Sequence, residues 1–205
     1  MDYPVNTYDL YSDIQKRTDG EIYIGVLGPV RTGKSTFIKR FMEEMVLPGM
    51  GDVHAKMRAK DEMPQSAGGR TITTTEPKFV PNEAAEVVLD DGSKVNVRLI
   101  DCVGYMVEGA AGHMEEDTER MVKTPWFAQE IPFSQAAEVG TDKVMQDHST
   151  IGLAITTDAS FGEIPREQYL EAEERTILAL KESGKPFLVL VNSLRPYSEE
   201  AKEHL

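Results

Sequence analysis

The feature that most constrains this chain is residues 28–35, Gly-Pro-Val-Arg-Thr-Gly-Lys-Ser, which fit the pattern Gly-x-x-x-x-Gly-Lys-Ser. An apolar run, residues 22–27, precedes this loop, and a stretch with helical periodicity follows it. In the order strand, loop, helix, backbone N–H groups and the positive end of the helix face a phosphate. The pattern therefore predicts a nucleoside triphosphate site; the alternative is a chance glycine-rich turn.

Three side chains of the loop have predicted roles. Lys34 is expected to reach the β- and γ-phosphates, and the Ser35 hydroxyl to ligate Mg²⁺. We hypothesise that the Arg31 guanidinium stabilises the charge that develops on the phosphates. The alternative for Arg31 is an ordinary surface arginine.

An acidic strand end follows farther along the chain. Asp101-Cys102-Val103-Gly104 spells Asp-x-x-Gly after an apolar run. Asp101 is predicted to hold Mg²⁺ through water, and the Gly104 N–H to sense the γ-phosphate. The alternative is an aspartate in a strand-ending turn. Tyr105 occupies the position where many hydrolytic switches carry a glutamine, so we expect slow hydrolysis by the isolated monomer.

Residues 71–77 contain a run of threonines between these two motifs. In nucleotide switches a threonine at this place closes over Mg²⁺ and the γ-phosphate. Thr74 and Thr75 are predicted to do so, although β-branched residues also favour a plain edge strand. The catalytic candidates are Lys34, Asp101, Thr74, Thr75 and Arg31, and the candidate metal ligands are Ser35, Thr75 and Asp101.

The choice of base is predicted from residues 192–195, Asn-Ser-Leu-Arg, where a guanine-specific protein has Asn-Lys-x-Asp. Arg195 has only hydrogen-bond donors, so it cannot accept from guanine as an aspartate does. ATP is therefore predicted to be preferred over GTP. The predicted nucleotide-binding residues are Gly28, Pro29, Val30, Arg31, Thr32, Gly33, Lys34, Ser35, Thr36, Gly104 and Asn192.

Charge and composition limit the partners. The formal net charge is −13 and no Lys/Arg cluster appears, so a nucleic-acid partner is not expected. Cys102 is the single cysteine, which excludes a disulfide framework within the chain. No segment has membrane-spanning length, and the first residues lack the order of a signal peptide. A cytoplasmic protein without direct membrane insertion is predicted.

The order of elements predicts an α/β fold. Residues 1–20 are predicted to form a helical extension, and residues 21–205 a P-loop domain. Residues 49–70 are predicted to be a mobile segment, and residues 86–100 a hairpin. Residues 105–148 are predicted to be an enlarged switch, in which Trp126 either anchors a partner or packs on the domain.

Further strands and helices alternate after residue 150. Strands are predicted at 151–156 and 187–191, and helices from 165 to about 183 and from 197 to 205. Such alternation predicts a doubly wound, mainly parallel sheet with one antiparallel edge strand from the hairpin. We also expect these residues to be the front part of a longer protein, whose next strand would close the base pocket.

Several strings together resemble the stage IV sporulation protein A family over nearly the whole chain. They are residues 28–36, 63–66, 74–81, 101–105, 124–126 and 147–152. The resemblance implies a fold of the translation-factor-related class of P-loop GTPases, used with ATP. It also implies that hydrolysis drives self-assembly into the basement layer of the spore coat.

The same resemblance implies partners and a location. These are other copies of the protein, spore coat proteins and a small membrane-bound peptide, the last reached through regions absent here. The location is the mother-cell cytoplasm at the outer surface of the forespore. Two other functions stay open: a GTPase-like signalling switch, and a P-loop kinase, against which the Asp-x-x-Gly motif argues.

Overall fold

The computed structural model describes residues 20–64, 76–88, 92, 94–110, 112, 114–115, 118–199 and 201. The predicted N-terminal helix and the threonines Thr74 and Thr75 lie outside the described residues. Most of the helix predicted from residue 197 also lies outside them.

One five-stranded sheet organises the domain, with the strand order β2-β3-β1-β8-β9. Neighbouring strands are parallel except β2 and β3, which are antiparallel. The prediction of a mainly parallel sheet with one antiparallel edge strand is confirmed, because the hairpin brings β2 to the edge. The five strands are β1 (Glu21–Leu27), β2 (Lys78–Val88), β3 (Lys94–Asp101), β8 (Ile151–Thr157) and β9 (Phe187–Asn192).

Four α-helices are described. They are α1 (Lys34–Phe41), α2 (Val53–Glu62), α3 (Phe133–Lys143) and α4 (Leu170–Ser183). Two helices continue as π-helical turns, α1 through Met42–Val46 and α3 through Val144–His148. Two short 3₁₀ turns are Leu47–Gly49 and Arg166–Tyr169. Two short antiparallel ribbons pair β4 (Met114–Glu115) with β5 (Thr118–Glu119) and β6 (Met121–Val122) with β7 (Ile131–Pro132).

The helices cover both faces of the sheet. Successive strand residues point to opposite faces, so Val26 and Leu27 belong to different clusters of buried side chains. On the first face the strands pack against residues of α1, its continuation and α2. On the second face they pack against the end of α3 and against α4, through Val144 and Leu180. The result is a three-layer α/β/α domain whose central strand, β1, is covered on both faces.

The prediction of a mobile segment at residues 49–70 was wrong for its middle part, which is helix α2. The Asp52 carboxylate accepts hydrogen bonds from the backbone N–H groups of His54 and Ala55, at 2.8 and 3.3 Å. This is an N-cap, which satisfies N–H groups that have no partner within the helix. Ala59 is buried against the sheet. Asp52 is an N-cap signal in the sequence, but the glycine and methionine content of the segment led to the prediction of a mobile segment instead.

Residues 105–148, predicted to be an enlarged switch, are not one long loop, because their second half is helical. Residues 133–148 form α3 and its π-helical continuation, with Phe133, Ala136 and Ala137 fully buried. Trp126 is only partly buried, and the Lys143 ammonium lies 5.9 Å from its ring centroid. Trp126 thus contacts its own domain. Small buried residues at helical spacing were the missed signal.

Candidate functional site

The candidate site lies where β1 and β3 end, at the same edge of the sheet. The loop 28–33 leaves β1, and residues 102–105 leave the neighbouring strand β3. The Val30 N–H donates to the Tyr105 carbonyl at 2.9 Å, which joins the two segments. Parallel pairing of β1 and β3 therefore brings the two sequence motifs together, although about 70 residues separate them.

Lys34 begins helix α1 and is 5% exposed. Its ammonium donates to the carbonyls of Pro29 and Gly28, at 2.6 and 3.2 Å. Burial lowers the pKa of Lys34, while the nearby Cys102 and Asp101 oppose this shift. Among the described residues, the loop thus encloses a desolvated cation that donates to two neutral carbonyls and lies close to the Asp101 carboxylate. An anion at the loop would stabilise the charge on this lysine.

Ser35 and Asp101 are in direct contact. The Ser35 hydroxyl donates to Oδ2 of Asp101 at 2.8 Å. The other carboxylate oxygen, Oδ1, is buried and has no hydrogen-bond partner among the described residues. Burial raises the pKa of Asp101, and the hydrogen bond from Ser35 and the charge of Lys34 oppose the rise. A carboxylate with one unused buried oxygen beside a hydroxyl is a donor set that fits Mg²⁺, which prefers oxygen ligands.

Two glycines of the site are required by their surroundings. Gly33 precedes α1 with φ of 96°, and Gly104 has φ of 93°, which other residues rarely adopt. A Cβ atom on Gly104 would lie 2.0 Å from the Gly28 carbonyl oxygen and 2.6 Å from the Lys34 ammonium. Gly104 therefore lies directly against the phosphate loop, as close as a backbone can approach it.

The Gly104 N–H, predicted to sense the γ-phosphate, donates here to the Thr141 hydroxyl at 3.1 Å. Thr141 is 1% exposed, and its own hydroxyl donates to the Ala137 carbonyl at 2.7 Å within α3. In the described arrangement, the backbone group predicted to face the nucleotide is thus held by helix α3. Sequence reasoning missed Thr141, because a threonine inside an α-helix carries no pattern that links it to a loop 37 residues away.

Tyr105, the next residue, is attached to the same helix. Its hydroxyl donates to the Asp142 carboxylate at 2.5 Å, and the Arg175 guanidinium of α4 lies 4.5 Å from its ring centroid. Burial and the Asp142 carboxylate raise the pKa of Tyr105 far above its ordinary value, so the hydroxyl stays protonated. Residues 104 and 105 are therefore tied to neighbouring residues 141 and 142 of α3.

Arg31 is partly buried and has φ of 64°, a left-handed conformation that is uncommon outside glycine. Burial raises the pKa of Tyr169, and the charge of Arg31 opposes this rise. The guanidinium thus lies near the turn after β8, next to the loop. Its role toward phosphate stays a prediction.

The residues predicted for the base lie at the end of β9. The Asn192 side-chain amide donates to the Thr32 carbonyl at 3.0 Å, so this residue braces the phosphate loop. Arg195 is exposed, as is Thr36 on helix α1. The described residues therefore place Asn192 beside the loop and leave Arg195 at the open side of the site.

Comparison with known proteins shows which protein family this chain matches. A family model described as "Stage IV sporulation protein A, ATPase domain" matches residues 5–205. Curated relatives with the name stage IV sporulation protein A come from Bacillus subtilis (strain 168), 58% identical over 95% of this chain, and from Bacillus anthracis, 56% identical over 95%. A third, from Clostridioides difficile (strain 630), is 54% identical over 94%. The chain spans only 39–40% of the length of these relatives.

Solved structures are more distant. A crystal structure of an SsGBP variant has a TM-score of 0.41 and 18% identity, covering 96% of this chain and 45% of that chain. A dimerization-deficient mutant of Toc33 from Arabidopsis thaliana has a TM-score of 0.35 and 16% identity, covering 91% and 77%. Because both TM-scores are low, the fold is assigned from the order and direction of the strands and not from these structures. None of the described helices is long and apolar enough to cross a membrane.

Proposed function

Because the chain belongs to the ATPase-domain family of stage IV sporulation protein A, we propose that it binds ATP with Mg²⁺ and hydrolyses it to ADP and phosphate. The observation that carries the proposal is the convergence of Lys34, Ser35 and Asp101 at one edge of the sheet. Lys34 can bind phosphate oxygens, and Ser35 and Asp101 can bind Mg²⁺.

The phosphate chain is proposed to lie on the loop 28–35. Lys34 would exchange its two carbonyl acceptors for phosphate oxygens, which carry full negative charge and form stronger hydrogen bonds. The N-terminus of α1, preceded by Gly33, adds N–H groups that have no partner within the helix and the positive end of the helix dipole. Both contributions stabilise charge that develops during phosphoryl transfer.

Mg²⁺ would be held by the Ser35 hydroxyl and the Asp101 carboxylate, and when bound it neutralises charge on the phosphates. Asp101 is suited to this role, because burial still disfavours its charged form despite the Ser35 hydrogen bond and the nearby Lys34, and a bound cation would stabilise that form. Thr74 and Thr75 are proposed to complete the site as switch residues. Water positioning falls to these threonines, to backbone groups or to a second molecule, since Tyr105 has no side-chain amide.

The Gly104 N–H is proposed to leave Thr141 when a γ-phosphate is bound. The donor can serve only one acceptor well, and a phosphate oxygen is a stronger acceptor than a hydroxyl. Movement at Gly104 would pull on Tyr105 and thus on α3 and α4, which hold its hydroxyl and its ring. This coupling would transmit the state of the nucleotide to the helical face.

In the complete protein, we propose that ATP hydrolysis drives self-assembly into the basement layer of the spore coat. Support comes from the family match and from relatives that carry the name of a sporulation protein. The proposed location is the mother-cell cytoplasm at the forespore surface. Spore coat proteins and a small membrane-bound peptide are proposed partners through regions beyond this chain.

The test measures phosphate release with Mg·ATP and with Mg·GTP, together with light scattering of the complete protein. The proposal expects ATP turnover that exceeds GTP turnover and is followed by growth of large particles. Turnover without growth would contradict the assembly function, and absence of turnover in the folded protein would contradict the ATPase.

A GTPase-like signalling switch is the second candidate. The strand order with an antiparallel strand beside β3 favours it, because this arrangement places the hairpin next to the acidic motif. Arg195 argues against guanine specificity, since a guanidinium cannot accept the hydrogen bonds of guanine. Faster turnover of GTP than of ATP, without particle growth, would favour the switch.

A further inference from the structure

A groove that the proposed reaction does not use lies between helices α3 and α4, on the second face of the sheet. It encloses about 700 Å³. Its charged lining consists of four carboxylates against one guanidinium, Arg175, which also pairs with Glu138. The carboxylates belong to Asp142, Glu171, Glu174 and Glu182.

The groove also has an apolar component that is open to solvent. Leu178 lines it and is 50% exposed, and the buried Met145 lies beneath it in the π-helical continuation of α3. Along α4, Glu174 and Glu182 lie one turn before and one turn after Leu178, so the three share a side of the helix. An apolar contact flanked by carboxylates fits a helix that presents an apolar side chain between cations.

Helix α2, on the first face of the sheet, presents such a surface. Val53 and Met57 are 68% and 60% exposed. Lys56, Met57 and Lys60 lie at i+3, i+4 and i+7 from Val53, so the four side chains share one stripe of the helix, which Asp61 borders at its C-terminal end. Exposed apolar side chains of this size on a helix have no partner within the described part of the domain.

The groove and helix α2 lie on opposite faces of the sheet, because α2 packs with the first cluster of buried residues and α3 and α4 pack with the second. One copy therefore cannot use its own α2 to fill its own groove. A second copy can, and its groove stays open for a third. Such a head-to-tail contact is heterologous and extends without closing unless the rotation returns on itself.

We propose that α2 of one copy docks into the α3–α4 groove of the next, with Met57 against Leu178 and with Lys56 and Lys60 beside Glu174 and Glu182. This inference rests on the proposed self-assembly and names the contact that performs it. The chain carries a net charge of −13, so copies repel one another unless a basic patch meets an acidic one. The groove has Tyr105 in its lining, the residue after Gly104, which links the docking surface to the nucleotide site.

The test uses cysteine cross-linking with Mg·ATP present. The native Cys102 is buried, and burial raises its pKa to about 11, so it contributes little background reaction. Met57→Cys and Leu178→Cys are prepared separately and then mixed under mild oxidation. We expect a disulfide-linked dimer in the mixture and none from either variant alone, because the contact joins two different surfaces.

Two controls test whether the cross-link reports this specific contact. Met121→Cys, at a side chain that is 50% exposed on neither surface, replaces Met57→Cys in a matched mixture and should give no dimer. Glu174→Lys with Glu182→Lys in the Leu178→Cys variant should lower the yield roughly fivefold. Lys56→Glu with Lys60→Glu in the other partner should restore it.

A yield equal to that of the Met121→Cys control, or dimers from either variant alone, would overturn the proposal. So would a charge reversal that changes nothing. Phosphate release and light scattering of the parent protein separate this failure from failure of the proposed function. Particle growth without the cross-link refutes only this contact, whereas absence of ATP turnover refutes the ATPase itself.

Discussion

The two sides of the candidate site are built differently. The phosphate wall, residues 28–35 with 101–105, is largely buried, and Lys34 is 5% exposed. The base wall, residues 192–197, is largely open, with Leu194 and Tyr197 69% and 90% exposed. Groups in the phosphate wall are held by several buried partners, whereas Arg195 is held through its backbone N–H, which donates to the Ser193 hydroxyl at 2.9 Å.

This difference indicates where a substitution costs little stability. A buried polar group is costly to leave without a partner, so each substitution in the phosphate wall disturbs binding and packing together. An exposed side chain can be replaced at little cost to stability. Substitutions in the phosphate wall are thus expected to impair phosphate chemistry, whereas substitutions in the base wall are expected to change base preference. Four substitutions can break or sharpen this comparison.

The largest effect is expected for Lys34→Ala. The variant removes the ammonium that donates to the Pro29 and Gly28 carbonyls, and with it the proposed phosphate contact. We expect the affinity for Mg·ATP, measured by calorimetry, to fall about 100-fold or more. Lys39→Ala is the matched control, since Lys39 lies on the same helix, is partly exposed and forms an ion pair with Glu43. Equal losses in both variants would contradict the account.

Asp101→Asn is expected to lower ATP turnover about tenfold or more, because the variant weakens the proposed Mg²⁺ site. It should also stabilise the protein at neutral pH. The pKa of Asp101 is raised in the folded state, so its ionised form is disfavoured there relative to the unfolded chain. Wild type therefore regains stability as pH falls through this raised pKa, and the difference between the two proteins closes.

Urea unfolding of wild type and Asp101→Asn at several pH values measures that difference. A variant that is less stable than wild type at neutral pH would show that the Ser35 hydrogen bond and the Lys34 charge outweigh the burial of Asp101, and would contradict this prediction.

A smaller effect is expected for Thr141→Val. The variant removes the acceptor that holds the Gly104 N–H, and so destabilises the state seen here relative to one in which a γ-phosphate takes the donor. The ratio of affinities for a non-hydrolysable ATP analogue and for ADP should rise about fivefold. Thr141→Ser, which keeps the hydroxyl, should behave as wild type. An unchanged ratio in both variants would exclude competition for this N–H group.

The smallest effect is expected in the base wall. Arg195→Asp supplies an acceptor for guanine, so the preference for ATP over GTP should shrink by about threefold to tenfold. Stability, followed by thermal unfolding, should barely change because the side chain is exposed. A large loss of stability, or no change in preference, would remove the contrast between the two walls.

Sequence patterns predicted β1, β8 and β9 because each is a short apolar run, and the hairpin at 86–100 identified the antiparallel edge. The part of β2 before residue 86 was not predicted. They also placed Lys34, Ser35 and Asp101 at one site, because strand ends that carry the two motifs meet in a parallel sheet. Helix α2 was missed since its apolar content is low and only the Asp52 cap marks its start.

Thr141, Asp142 and the α3–α4 groove could not be predicted from sequence, because their meaning depends on which face α3 presents to residues 104 and 105. Periodicity gives the faces of a helix but not its neighbours. The hydrogen bond from Asn192 to the Thr32 carbonyl likewise follows only from the position of β9 beside the loop.

The most direct test of the central claim is titration calorimetry of the folded 205-residue chain with ATP, with and without Mg²⁺. The account predicts saturable binding that is tighter with Mg²⁺, and loss of the Mg²⁺ effect in Asp101→Asn while binding of ATP itself persists. Absence of heat with Mg·ATP in the folded protein, or an Mg²⁺ effect that survives in Asp101→Asn, would contradict it.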